Sequence, residues 1–243
     1  AHGVDLLFVC TKYTQLRDSL PDIETITDKH TMVVSLLNGV DSEELIGQRI
    51  GMEHMIYSLI RIASHRIGNS IHFSLPKGYN GIYIGIPNQP ACQDPRLAAI
   101  AEIFADTPVT LHLSDDILLD MWDKFGLNVS RNLPQAILGV GIGVYDDSIY
   151  ADAIMRRMRH EVVLVANAKG IPLTDEFKAA KWLPSQRYST LQDLDAHRHT
   201  EIDMFSGALI RMGKEVGVEC PYNEMTYNLI KALEEKNDGK FDY

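Results

Sequence analysis

The amino-acid sequence predicts an α/β part over residues 1–114 followed by an all-helical part over residues 115–243. Three observations carry this. Residues 4–10 and 32–37 are unbroken apolar runs with β-branched members, as in strands covered on both faces of a parallel sheet. Each run leads into polar, helix-permissive sequence, which sets up a βαβ rhythm. Beyond Asp115 the apolar residues fall near a helical period, and almost nothing alternates as a strand does. At 243 residues, 45% apolar and 23% charged, the chain has ordinary globular composition and the length for one large core or two modest ones.

Taken in order, strand 4–10 is followed by a helix over 13–20 that Pro21 is expected to stop. Strand 32–37 is followed by a helix over 42–50, opened by Asp41 and Ser42 as N-cap candidates. Strands are expected over 55–62, 70–75, 81–86 and 109–113, with a helix over 95–105. Ile117, Leu118, Met121, Trp122, Phe125, Val129 and Leu133 mark a helix over 115–133. Long helical patterns follow over 148–168, 190–216 and 224–235. The first strand starts with almost no lead-in, so it reads either as a sheet edge or as the point where an earlier segment is missing.

Charge and cysteine usage exclude several classes of function. Lys plus Arg number 23 against 33 Asp plus Glu, and a net charge of −10 argues against a general nucleic-acid or anionic-membrane surface, though a local basic pocket stays open. Cys10, Cys92 and Cys220 form no C-x-x-C pair, so neither a disulfide framework nor a zinc ribbon is indicated, and a reducing cytoplasm fits. No apolar run reaches the ~18 residues of a membrane span.

Four features could carry chemistry. Lys124, Asn128 and Asn132 fall at i, i+4 and i+8, stacked along one stripe of the expected helix. The stripe serves either a row of donors facing a carbonyl and a carboxylate or a solvated polar face, and spacing alone does not choose. Residues 189–203 are dense in ionisable groups. His197 and His199, two apart on a helix, would point in opposite directions, so a metal site is not expected; a charged helix start capped by Ser189 or Thr190 is. Glu201 is expected within that helix and partly buried. The run Gly139, Gly141, Gly143 has G-x-G-x-G spacing after a helix, which reads as a flexible helix-to-helix connection and not as a dinucleotide fingerprint. Asn38-Gly39 and Lys12 follow the first two strands, at the carboxyl ends where open α/β sheets place ligands, although Asn-Gly is also a common plain turn.

In this order, Lys12, Leu37-Asn38-Gly39, Lys124-x3-Asn128-x3-Asn132, Ser189-x2-Gln192-Asp193, His199-Thr200-Glu201-Ile202-Asp203, Gly207 and Pro221-x-Asn223 resemble the ketopantoate reductase (2-dehydropantoate 2-reductase) family over essentially the whole chain. The resemblance implies the C-terminal part of a Rossmann-type dinucleotide-binding domain (1–114) and a helical substrate domain like the C-terminal domain of 6-phosphogluconate dehydrogenase (115–243). It implies NADPH-dependent reduction of a 2-oxo acid, ketopantoate, to the 2-hydroxy acid, pantoate, in the route to pantothenate. It further implies Lys124 as general acid or electrostatic partner of the carbonyl oxygen and Glu201 as the group that orients it. Asn128, Asn132 and Ser189 would hold substrate, and Lys12 and Asn38 would lie on the cofactor side. No metal is implied.

Two departures stand out. Gln186 occupies a position where many members have asparagine, which favours a different branched 2-oxo acid and a D-2-hydroxyacid dehydrogenase as the alternative. The glycine-rich pyrophosphate turn of the family does not precede Val4, so about 60 to 70 residues of the family pattern are expected to be missing. That leaves a third alternative of another class, a non-catalytic module whose helical part forms a homodimer contact.

Overall fold

Parallel pairing of the first two apolar runs organises the start of the chain, with Leu6 opposite Met32 and Val9 opposite Ser35. The structure is a computed structural model that describes residues 3–62, 64–67, 69–73, 78–177 and 183–243. The chain divides into two compact units, Ala1–Met121 and Trp122–Tyr243. No helix among the described residues is long and apolar enough to cross a membrane.

The first unit runs β1 (Leu6–Val9), α1 (Tyr13–Ile26), β2 (Met32–Ser35), α2 (Ser42–Ile50), β3 (Met55–Arg61), β4 (Ser64–Ile67), β5 (Ser70–Phe73), β6 (Gly81–Gly85), α3 (Pro95–Phe104) and β7 (Leu111–Leu113). Five strands form one mixed sheet in the order β1-β2-β3-β6-β7, in which β3 and β6 run antiparallel and the other pairs parallel. Val34, Ile56, Ile84, Leu97 and Ile100 are fully buried where the sheet packs on α3. Each such side chain removed from water contributes about 2 kcal/mol. The strand expected over 70–75 is observed as β5, which among the described residues pairs with β4 in a separate hairpin, and residues 74 and 75 lie outside the described residues.

Pro21 does not stop α1. The helix continues to Ile26, because Leu16 and Ile23 on either side of the proline are both buried and α1 packs along α2. Burial on both sides of the missing N–H outweighs the lost main-chain bond. Asp41 stands at the N-cap of α2 without capping it; its carboxylate accepts the Tyr13 hydroxyl at 2.7 Å instead.

α4 (Ile117–Leu127) begins in the first unit and ends in the second, which is helical: a π-helical turn (Asn128–Asn132) follows, then α5 (Leu133–Leu138), α6 (Val144–Asp147), α7 (Ile149–Ala168), α8 (Ser189–Asp195), α9 (Ser206–Val216) and α10 (Pro221–Asn237). α7 begins where the sequence indicates, with the Ser148 side chain accepting from Ala151 N–H. The helix expected over 190–216 is two helices with an irregular connection between them. α8 ends at Asp195, His197 takes a left-handed φ of 51°, and residues 200–203 are bound by side chains of α10. Asn223, fully buried, ties three helices by accepting from Ser206 and donating to Glu161.

The glycine run does join two helices, but as a fitted surface and not a loose link. Ile142 and Gly143 N–H groups donate to the carbonyls of Gln186 and Pro184. A β-carbon on Gly141 would meet the Pro184 oxygen at 2.3 Å, and one on Gly143 would meet the Pro184 side chain at 2.7 Å. These glycines let the backbone approach residues 184–186 closely.

Candidate functional site

In the first unit the candidate residues lie where β1 and β2 end side by side. Leu36 N–H continues the ladder to the Val9 carbonyl, so the segments carrying Thr11-Lys12 and Asn38-Gly39 leave the sheet from the same edge. Tyr13, next to Lys12, donates to Asp41 at 2.7 Å and latches the two turns together. Lys12 is exposed and Asn38 half-buried. Thr11 adds a feature the sequence did not flag: its hydroxyl oxygen is buried with no partner among the described residues. An unsatisfied polar atom at a parallel strand end marks a place for a ligand's polar group.

In the second unit the polar stripe is built by a break in helical regularity. Pro134 has no N–H for the carbonyl four residues earlier, and Ser130 turns its hydroxyl back to the Gly126 carbonyl at 2.7 Å. The ladder widens there into the π-turn Asn128–Asn132. Lys124 and Asn128 are half-buried on the stripe, and Asn132 is 4% exposed. Asn132 Nδ2 reaches Asn128 Oδ1 at 3.5 Å, a long bond, while Asn132 Oδ1 is buried with no partner among the described residues.

Residues 183–188 and the start of α8 are held against this stretch. Gln135, fully buried, donates to the Gln186 carbonyl at 2.8 Å and accepts from Tyr188 N–H at 2.9 Å. α8 in turn packs on both α5 and the π-turn. Ser189 is the exposed first residue of α8, and neither it nor Thr190 caps the helix; Tyr188 holds the N-cap position without a side-chain bond. Thr190 is 1% exposed and its hydroxyl oxygen has no partner among the described residues.

Glu201 is half-buried as expected, but it belongs to the irregular connection between α8 and α9 and not to a helix. Both of its flanks are pinned by α10. The buried Glu234 carboxylate accepts from Thr200 N–H and from the Thr200 hydroxyl, each at 2.7 Å. Asp203 accepts from Tyr227 at 2.7 Å and from Lys231 at 2.9 Å. Burial on its own would raise the Asp203 carboxyl; the bonds from Lys231 and Tyr227, with the charges of Lys231 and Arg211, outweigh it and leave the group below its ordinary value. Ile202, fully buried, completes the anchor. In the Thr-Glu-Ile-Asp stretch three residues therefore fix the backbone and the fourth, Glu201, is the one presented. His199 sits 3.0 Å from Asp238, away from a shared helix face with His197.

The residues missed from sequence are these supports: Thr11, Gln135, Lys231 and Glu234. Only Pro134, directly after Asn132-Leu133, was a readable sign of the widened turn.

Residues 1–89 match the family model "Ketopantoate reductase PanE/ApbA", and residues 116–234 match "Ketopantoate reductase PanE/ApbA C terminal". The chain belongs to the ketopantoate reductase family. A 2-dehydropantoate 2-reductase of Streptococcus pyogenes is 29% identical over 242 residues, covering 95% of this chain and 76% of that protein. A PanE/ApbA family ketopantoate reductase from Ralstonia eutropha superposes with a TM-score of 0.82 at 25% identity, covering 98% of this chain and 78% of the other. A D-mandelate dehydrogenase solved with NADH and anilino(oxo)acetate gives a TM-score of 0.83 at 25% identity, covering 97% and 77%. Ketopantoate reductases are thus similar to this chain across nearly all of it, while the chain spans about three quarters of their length.

Proposed function

We propose that this chain carries the catalytic residues of an NADPH-dependent reductase that converts a 2-oxo acid, ketopantoate, to the 2-hydroxy acid. The observation that carries the reading is the π-turn beside Lys124, which holds Asn128 and the unsatisfied Asn132 Oδ1 on the stripe of a lysine. On the cofactor side, the buried and unpartnered Thr11 hydroxyl beside Lys12, at the end of a parallel strand next to Asn38, fits a dinucleotide's polar groups. Lys12 and Asn38 would hold the dinucleotide there; when bound, it supplies the hydride.

The work left to the protein is electrostatic. Reduction of a carbonyl builds negative charge on its oxygen, and the Lys124 ammonium supplies both a countercharge and a proton. Glu201, on a backbone fixed by Thr200, Ile202 and Asp203, orients the lysine and the substrate hydroxyl. Asn128, Asn132 and Ser189 hold the substrate by hydrogen bonds.

Replacing Lys124 by alanine in the intact protein is expected to lower kcat for NADPH-dependent ketopantoate reduction by about 10²- to 10⁴-fold, with the KM for NADPH little changed. A rate within a few-fold of the parent would overturn the assignment. A second reading, a D-2-hydroxyacid dehydrogenase for another branched 2-oxo acid, is favoured by the similarity to D-mandelate dehydrogenase and by Gln186, whose carbonyl is clamped by Gln135 and Ile142 three residues before Ser189. Kinetics on a panel of 2-oxo acids with NADPH and NADH decide between them, and ketopantoate as the clear best substrate would dismiss the second.

A further inference from the structure

Glu43 stands in the first turn of α2 and is 1% exposed. The other deeply buried glutamates face N–H groups or a cation. Glu161 accepts from Tyr222 and Asn223, and Glu234 from Thr200 and Lys231. Glu43 accepts the Ser42 hydroxyl at 2.9 Å and lies close to the main-chain N–H groups of Glu43 and Ser58, which favour its charged form without outweighing its burial. Ser42 Oγ lies 2.8 Å from Ser35 Oγ, and the Ser58 hydroxyl donates to the Ser35 carbonyl. Ser35 is the last residue of β2 and Ser42 the first of α2, so these side chains close the base of the 36–41 turn that presents Asn38.

We propose that Glu43 is a positioning residue for the Asn38 turn, acting through the Ser42–Ser35 clasp, and that its protonation state sets how firmly the clasp holds; this rests on the reading of Asn38 as a cofactor-side residue. The proton count shows how. Each serine has one O–H. With Glu43 ionised, Ser42 donates to the carboxylate and Ser35 must donate to Ser42. With Glu43 protonated, the acid donates to Ser42, Ser42 donates to Ser35, and the Ser35 O–H stays on its oxygen, no longer needed within the clasp. Both orders satisfy the bonds, but the first buries a charge.

The surroundings set where the change falls. Burial, opposed by the bonds from Ser42 and the two N–H groups and assisted by the like charge of Asp41, lifts the Glu43 carboxyl to about 7. From β3 comes Tyr57, pushed up to about 12 by burial and by the charges of Glu44 and Glu43. α1 brings Tyr13, which donates to Asp41, and Glu24, which pairs with Arg49 at the far end of α2. The turn after α2 brings Glu53 and His54, the latter turned to the Thr31 carbonyl. β2 contributes the uncharged Ser35. Among the described residues no cation acts on Glu43 to hold it ionised.

The test is amide hydrogen exchange over residues 36–41 of the intact protein, without dinucleotide, at about pH 6 and about pH 8.5, corrected for intrinsic exchange. The parent is expected to lose about tenfold in protection across this range. Glu43→Gln, neutral and able to donate and accept, should keep the acid-side protection throughout, and Ser42→Ala should be poorly protected at both. The KM for NADPH should follow the same pattern, with the variants moving KM more than kcat. Parent protection that is flat with pH, or a Glu43→Gln protein that still follows the parent, overturns the proposal. A protection step in a protein that binds no NADPH at any pH supports the clasp and defeats the reductase reading; normal binding with a flat profile does the reverse.

Discussion

A β-carbon on Gly126, in the last turn of α4, would stand 2.2 Å from the Arg159 guanidinium. Arg159 is 1% exposed and donates to the Asp123 carboxylate, the Asp123 carbonyl and the Thr174 carbonyl. Burial lowers its proton affinity against the opposing charge of Asp123, so the guanidinium depends on these bonds. Its neighbour Arg131 lies over the same Phe177 ring, at 4.5 Å against 5.2 Å, which leaves little freedom for either to retreat. Gly126→Ala is therefore expected to destabilise the second unit by about 1–3 kcal/mol, measured as a shift in urea midpoint at unchanged slope. Wild-type stability would show that Arg159 moves aside freely. The glycine thus acts two residues before the π-turn by making room for a cation, and not through flexibility.

At the scale of elements, the segment leading into α8 is held by one side chain, Gln135, and by the main chain of the glycine run. Removing the Gln135 amide leaves the half-buried Tyr188 N–H without its acceptor at a cost of about 1 kcal/mol, while the Gln186 carbonyl keeps only its bond from Ile142 N–H. Gln135→Ala should expose residues 183–188 to limited proteolysis and raise the substrate KM through Ser189. Unchanged cleavage would mean that the glycine run alone, through Ile142 and Gly143, holds the segment. This clamp also shows what was legible in the sequence. β1, β2, α3 and α7 were readable because unbroken apolar runs, Pro95 at a helix start and Ser148 as a cap are local signals. Lys124, Asn128 and Asn132 could be singled out as candidates for the same reason, by their spacing along the chain. Gln135 meets its partners 51 and 53 residues away, Glu234 meets Thr200 from 34, and Glu161 meets Asn223 from 62. No periodicity reaches such distances. The irregular 196–205 connection was unreadable because its helical pattern lost to bonds from α10, and α1 outran Pro21 because of burial that only the packed structure reveals.

For the whole molecule, each unit carries its own pH-dependent term, and the two have opposite signs. In the first unit, the Glu43 carboxyl rises from 4.5 to about 7 on folding. The unfolded chain sheds this proton first, so the contribution is complete below 4.5 and is lost as pH climbs toward about 7. In the second unit, Asp203 is held below its ordinary 3.8, so its contribution is present above 3.8 and is lost as pH falls through the folded value. Lys231, raised above 10.5 by Asp203 and Glu234 against its burial, keeps its part throughout this range. The urea midpoint should therefore peak between about pH 4 and 5 and decline on both sides. Trp122, buried at the start of the second unit, makes tryptophan fluorescence a report on that unit, while circular dichroism follows both. Asp203→Asn should flatten the acid limb seen by fluorescence and lower its plateau, because Lys231 and Tyr227 lose a charged acceptor. Glu43→Gln should flatten the alkaline limb seen by circular dichroism and leave the fluorescence limb in place. A Glu43→Gln protein whose alkaline limb still matches the parent would place that pH dependence elsewhere, and an Asp203→Asn protein with the parent's acid limb would show that the Thr-Glu-Ile-Asp anchor does not rest on its charge.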